Sequence, residues 1–159
     1  MDILLTLTAP ILNSKMLKVA SKGSFNLHYG ILPEFRGNHT LFWALKFHQF
    51  NRVGMTIHHL ISLQVDGGYM LAQIYPTLAR WDYEVTILPK VVSRAPEIVM
   101  NLLKVCENGT VPVGRTQTGL WRMYLAKERT MMVDVFYHLS WIFFLNRPKA
   151  RVASAERFF

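Results

Sequence analysis

Cysteine is almost absent from this chain: Cys106 is the only one in 159 residues. A lone cysteine excludes a disulfide framework and a cysteine-built zinc site, and it points to a reducing compartment, so a cytoplasmic location is expected. Charge is sparse as well, at 18% of residues against 51% hydrophobic, which excludes a disordered tail and a solvated coiled coil. Long apolar runs are missing. The stretch 133–145 is too short to span a bilayer and contains Asp134 and His138, and the opening Met1-Asp2-Ile3-Leu4-Leu5 carries an acid where a signal peptide carries a base. No membrane association is expected. Repeats and low-complexity tracts are also lacking, which leaves the length of one compact core with short appendages.

The net charge is +8, and its excess is mostly C-terminal: residues 1–109 hold 10 Lys and Arg against 7 Asp and Glu, and residues 110–159 hold 8 against 3. Arg147, Lys149, Arg151 and Arg157 have no aromatic residues interleaved among them, as base stacking would need. Nucleic-acid binding is therefore not expected, and the C-terminus is read as a solvated basic tail.

The apolar pattern alternates strands and helices. Residues 3–8 form a β-prone run, Asn13 caps a helix to about residue 20, and Phe25 and Leu27 alternate with polar neighbours over 24–28 as in a strand. Gly30, Pro33 and Gly37 predict a loop over 29–37, after which Asn38 caps a helix bearing Leu41, Phe42, Leu45 and Phe47. Strands follow at 55–60 and 69–75 around an Asp66-Gly67-Gly68 turn. A helix opens at Pro96 and ends before Gly109, a strand is predicted at 120–125, and a last helix at 131–145. No element is assigned over 76–95.

The informative segment is Gly23-Ser24-Phe25-Asn26-Leu27-His28-Tyr29-Gly30-Ile31-Leu32-Pro33-Glu34-Phe35-Arg36-Gly37. Asn26 and His28, two apart on a strand, point to the same face, and the Gly- and Pro-rich loop after them lets a ligand approach the backbone. A hydrogen-bonded pair at a strand end accounts for the same spacing. His58 and His59 are adjacent on a strand and face opposite ways, and no His-x-x-x-His pair accompanies an acid, so no metal site is expected.

Taken whole, the segment resembles the folate-dependent formyltransferases, whose pattern is Asn-x-His followed by a Leu-Pro-x-x-Arg-Gly loop. Downstream, Trp43-Ala44-Leu45 resembles the family helix, Gly54-Met55-Thr56-Ile57-His58 its Gly-Val-Thr-Ile-His strand, and Val65-Asp66-Gly67-Gly68-Tyr69-Met70-Leu71-Ala72-Gln73 its Leu-Asp-x-Gly-Asp-Ile-Leu-x-Gln segment. Gly30 and Tyr69 depart, standing where Ser and Asp are common. The likeness is dense over about residues 2–77 and loose over 78–128. Asp2-Ile3-Leu4-Leu5 resembles the family's fourth strand. The expected fold class is therefore α/β: a partial Rossmann-like formyltransferase fold lacking the first three βα units over 1–128, then a C-terminal helix and basic tail over 129–159.

The resemblance implies transfer of a formyl group from 10-formyltetrahydrofolate, as donor, to a primary amine on a small molecule, with an amino-sugar nucleotide and a small phosphorylated amine both open. It assigns Asn26 and His28 as donors to the oxyanion that grows on the formyl oxygen. Asp66 becomes the charge partner that raises the His28 pKa and helps remove the amine proton. The backbone of Ala9, Pro10, Ile11 and Leu12, with the turn Ser62, Leu63, Gln64 and Val65, matches the family's pterin-binding loops. The rival expectation is a truncated, non-catalytic fragment that acts as an interaction module or has no activity. In both readings residues 3–8 form an unpaired sheet edge, expected to recruit a second copy or a complementing chain.

Overall fold

A computed structural model describes residues 2–60, 64–119, 121–143 and 151–159. A five-stranded mixed sheet is built from β1 (Leu4–Leu7), β2 (Ser24–His28), β4 (Met55–His59), β5 (Met70–Tyr75) and β7 (Ser154–Arg157), in that spatial order. The β1–β2 pair is parallel and the other pairs are antiparallel. A second, two-stranded parallel sheet joins β3 (Phe35–Gly37) to β6 (Arg122–Tyr124). The helices are α1 (Ser14–Leu17), α2 (Thr40–Lys46), α3 (Glu84–Val92), α4 (Ala95–Glu107) and α5 (Met131–Ile142).

Strand alternation divides the main sheet chemically. In register, Thr6 faces Asn26, Asn26 faces His58, His28 faces Thr56 and Thr56 faces Gln73, so one side carries a row of polar side chains across four strands. The intervening residues Phe25, Leu27, Met55, Ile57, Ala72 and Ile74 belong to the same hydrophobic cluster as Leu41, Phe42 and Leu45 of α2 and Ile98, Leu102 and Cys106 of α4. The polar side is spanned by the loop after β2: Thr56 Oγ1 donates to the Gly30 carbonyl at 2.7 Å and accepts from the Leu32 amide at 3.1 Å, while Gln73 Nε2 donates to the Leu32 carbonyl at 2.7 Å.

Several elements differ from the pattern-based expectations. Within the expected 29–37 loop, Phe35–Gly37 forms β3, because β6 offers it a ladder that local sequence does not reveal. Helix α1 stops at Leu17 rather than near residue 20: it is a single turn with no buried residue to extend it, although Asn13 caps it as expected. The cap of α2 is His39, in the left-handed region, and not Asn38, whose amide is drawn to the Tyr124 carbonyl at 2.8 Å. Helix α3 occupies part of the unassigned 76–95 stretch despite Pro89 in its interior, held by buried Ile87 and Val91.

The C-terminus is not a solvated tail throughout. β7 pairs with β5, and the Arg151 guanidinium donates to the carbonyls of Phe50 at 2.8 Å, Val53 at 2.8 Å and Pro76 at 3.2 Å. Arg147 and Lys149 lie outside the described residues. Tyr137 of α5 is buried against Phe42 and Tyr83, which ties that helix to the core. Among the described residues, no helix is long and apolar enough to cross a membrane.

Candidate active site

The polar row converges on Asp66. Its Oδ1 lies 3.3 Å from His28 Nδ1 and 3.7 Å from His58 Nε2, and its Oδ2 accepts a hydrogen bond from the Gly37 amide at 2.7 Å. Asp66 sits at a φ of 49°, a left-handed conformation that short polar side chains tolerate best. Burial works to raise its pKa, but the His58 ring, the His28 charge and the Gly37 amide together hold the carboxyl below the usual carboxylate range.

His28 is buried, with both ring nitrogens facing acceptors: Nδ1 faces Asp66, and Nε2 faces the Phe35 carbonyl at 2.8 Å. Asp66 pulls the pKa of this histidine upward, as expected, yet the net shift is downward. Burial is the largest influence and pushes the imidazolium below its ordinary value, outweighing the upward pull of Asp66. The adjoining Gly30, at a φ of 154°, is closely packed: a Cβ there would stand 2.8 Å from His28 Nε2 and 2.9 Å from Thr40 Oγ1.

Asn26 is oriented from both ends. The Thr6 hydroxyl donates to its Oδ1 at 2.8 Å, and its Nδ2 stands within hydrogen-bond distance of His58 Nε2, at 3.2 Å, while His58 Nδ1 lies 3.0 Å from the His59 carbonyl. One of the two Asn26 N–H groups thereby faces the His58 ring, and the amide has a second for another acceptor. His58 and Thr6 are site residues that motif reading missed. The signal for His58 was its place in the Gly54-Met55-Thr56-Ile57-His58 strand; the signal for Thr6 was only its strand phase. His59 faces the other way, packing on Phe25, as adjacent positions on a strand require.

Beside this cluster opens a cleft of about 770 Å³ lined by Asn26, His28 and Asp66, by Ala9, Pro10, Ile11 and Val65, and on its apolar side by Val85 and Leu88 of α3 with Tyr124 and Leu125. A smaller recess of about 80 Å³, shared by Asn26 and Asp66, is lined by Leu12 and Gln64. Six of the eight residues expected to cradle a pterin thus surround the Asn26–Asp66 pair, while Ser62 and Leu63 lie outside the described residues. Among the described residues no group of three or more His, Cys, Asp or Glu side chains is arranged to hold a metal ion. The arrangement suits chemistry at a carbonyl: amide and imidazole donors sit beside an ionised carboxylate at the edge of an apolar cleft.

Comparison with known proteins finds the same fold in formyltransferases of solved structure. A formyltransferase from Anoxybacillus kamchatkensis, solved in complex with UDP-4,6-dideoxy-4-formamido-L-AltNAc and tetrahydrofolate, superposes with a TM-score of 0.70 at 18% identity, over 92% of this chain and 74% of that one. A sugar N-formyltransferase from Shewanella sp. gives 0.68 at 15% identity, over 88% and 59%. An N-formyltransferase from Helicobacter canadensis, in complex with folinic acid and dTDP-3-aminofucose, gives 0.58 at 18% identity, over 76% and 44%. The chain therefore spans about half to three quarters of the length of these three proteins, and identities this low establish the shared fold. The family is established independently, because the sequence model for formyl transferases matches residues 3–103, the stretch that supplies every strand-borne residue of the cluster and Asp66. This chain belongs to the formyl transferase family.

Proposed function

We propose that the chain transfers a formyl group from 10-formyltetrahydrofolate to a primary amine on a small molecule. The observation that carries this reading is the convergence of the Asn26 amide, the His28 ring and the Asp66 carboxylate at the wall of the cleft. In the reaction, the amine nitrogen bonds to the formyl carbon, negative charge collects on the formyl oxygen, and the bond from that carbon to the folate nitrogen then breaks. The second Asn26 N–H serves as a donor to that oxygen. A lost donor of this kind typically costs about 3–4 kcal/mol of barrier.

His28 acts conditionally. Burial disfavours its cation in the resting site, so the ring draws a second proton from solvent only when the oxyanion adds negative charge beside Asp66. Stabilisation that appears only with the developing charge acts on the transition state and not on the bound substrate. To reach the oxygen, the ring trades its contact with the Phe35 carbonyl. Asp66, held ionised, takes the proton that the amine nitrogen loses, directly or through one water, and passes it to the folate nitrogen as that nitrogen's bond to the formyl carbon breaks. The backbone of Ala9 to Leu12 and of Gln64 and Val65 is assigned to the pterin, and Ser62 and Leu63 are assigned to it by the sequence resemblance alone.

The sugar-nucleotide complexes of the structural relatives make a nucleotide-linked amino sugar the first acceptor class to assay. A cytoplasmic setting accords with the single buried thiol. The second reading, a non-catalytic fragment, draws support from the engagement of both His28 nitrogens within the protein. One experiment separates the two: the purified chain is given 10-formyltetrahydrofolate and a panel of amines, and release of tetrahydrofolate is followed beside calorimetric titration with a folate analogue. Amine-dependent release supports the transferase. Folate binding without release, or neither, supports the fragment.

A further inference from the structure

The left-handed Asp66 turn is held from outside the family-matched stretch. Gln117 Nε2 donates to the Asp66 carbonyl at 2.8 Å and to the Gly68 carbonyl at 2.7 Å, while its Oε1 accepts from Arg36 Nη2 at 2.6 Å. These partners fix the orientation of the amide, since only the NH2 end can face two carbonyls and only the oxygen can face a guanidinium. Gln117 is placed by its own segment: Arg115 and Met70 exchange backbone hydrogen bonds at 2.7 and 2.8 Å, docking the strand-like stretch beside the start of β5. Arg36 is buried and stacks over Trp121 at 4.4 Å. Residues 36 and 37 thus grip the turn twice, the Gly37 amide by the Asp66 carboxylate and Arg36, through Gln117, by the backbone on either side of Gly67.

We propose that Gln117 is a positioning residue for Asp66, clamping the 66–68 backbone so that the carboxylate stays between the Gly37 amide and the His28 ring. This deepens the function proposed above and rests on its assignment of Asp66 as charge partner and proton acceptor. Without the clamp, a residue at a φ of 49° has no side-chain hold on its own carbonyl, and the turn relaxes toward ordinary backbone conformations. Relaxation carries the carboxylate away from both partners at once. The family motif supplies the reacting groups, and a residue 51 positions later in the chain sets where one of them stands.

Two variants test the clamp. Gln117→Ala removes every contact. Gln117→Glu keeps the shape and the acceptor for Arg36 but cannot donate to the carbonyls. The first readout is independent of activity: amide hydrogen exchange at Gly37, whose N–H is held by Asp66, compared with Leu32, whose N–H is held by Thr56. The proposal expects Gly37 to exchange about tenfold faster or more in both variants with Leu32 little changed, the size set by losing two ordinary hydrogen bonds. Where the chain turns over, kcat falls in both variants while KM for the formyl donor is held, and the pH dependence of kcat shifts as the carboxyl returns toward its usual range. Unchanged Gly37 exchange overturns the proposal, and so does equal acceleration of Gly37 and Leu32, which would make Gln117 a general stabiliser. A wild-type chain without transferase activity refutes the functional reading but leaves the exchange comparison to decide the clamp.

Discussion

The Asp66 carboxylate meets the His28 imidazole at 3.3 Å, yet the histidine remains harder to protonate than a free one because burial outweighs the carboxylate. The pair is thus an ionised acid beside a ring that burial keeps short of a full cation. A site built this way holds its positive charge in reserve until negative charge grows next to it.

His28→Ala and Asp66→Asn should each lower turnover by about two orders of magnitude or more, with the affinity for a folate analogue changed far less, because both groups act on the charge that develops and the pterin is assigned to backbone. Single-turnover kinetics and calorimetric titration on the same preparations check this. Equal loss of folate affinity in both variants would move these residues from chemistry to recognition.

Stability should depend on pH through buried histidines. The pKa values of His28 and His59 both lie below the ordinary 6.5, with burial the largest cause in each case. Below 6.5 the unfolded chain takes up protons that the folded chain refuses, so the contribution to stability is complete above that value and is lost as pH falls through the lower folded values. Urea midpoints measured from about pH 7.5 down to about pH 5 should therefore decline, and His28→Gln should make the decline shallower. A midpoint that stays level across this range contradicts the burial of these rings.

Parts of the fold and site were legible because their signal is local. The alternation around Phe25 and Leu27, the Asp66-Gly67-Gly68 turn and the apolar spacing of α4 each report their own element, and Asn26, His28 and Asp66 sit inside motifs short enough to recognise. The rest depends on partners distant in sequence. β7 has four exposed residues and is a strand only because β5 offers it a backbone ladder. Helix α3 carries Pro89, and its exposed Val85 and Leu88 face the cleft, so its apolar residues do not trace a single buried stripe. Thr6 reaches Asn26 across 20 positions and Gln117 reaches Asp66 across 51, contacts that register and docking create and no motif encodes.

Thr6→Val isolates one of those contacts. The valine keeps the branched shape suited to β1 and removes the hydroxyl that donates to Asn26 Oδ1. The amide then loses one of the two bonds that orient it, and the cost in stability should be about 1 kcal/mol. Turnover should fall about tenfold, because an amide that can flip presents a donor for only part of the time. Folate affinity is expected to hold. A Thr6→Ser variant keeps the donor and should restore most of the loss; no difference between Val and Ser would leave Thr6 with packing alone.

β1 has one ladder neighbour, β2, among the described residues, and its Leu5 and Leu7, in register with Phe25 and Leu27, are 41% and 43% exposed. A strand edge with free N–H and C=O groups beside apolar side chains is a template for another strand, and nothing on β1 itself blunts it: Leu4 to Leu7 contains no charge and no proline. The chain is therefore expected to associate through β1, by pairing with a second copy or with a chain that brings its own edge strand. Sedimentation velocity over a hundredfold range of concentration should show a shift toward larger species as concentration rises, with amide exchange in residues 4–7 slowing in step. Leu5→Lys places a charge on the edge and should return the chain to a monomer while leaving the melting temperature of the dilute protein nearly unchanged, since Leu5 is outside the buried core. Association that persists in Leu5→Lys would locate the interface elsewhere, and a monomer at every concentration with residues 4–7 already protected would show that the edge is satisfied within the chain.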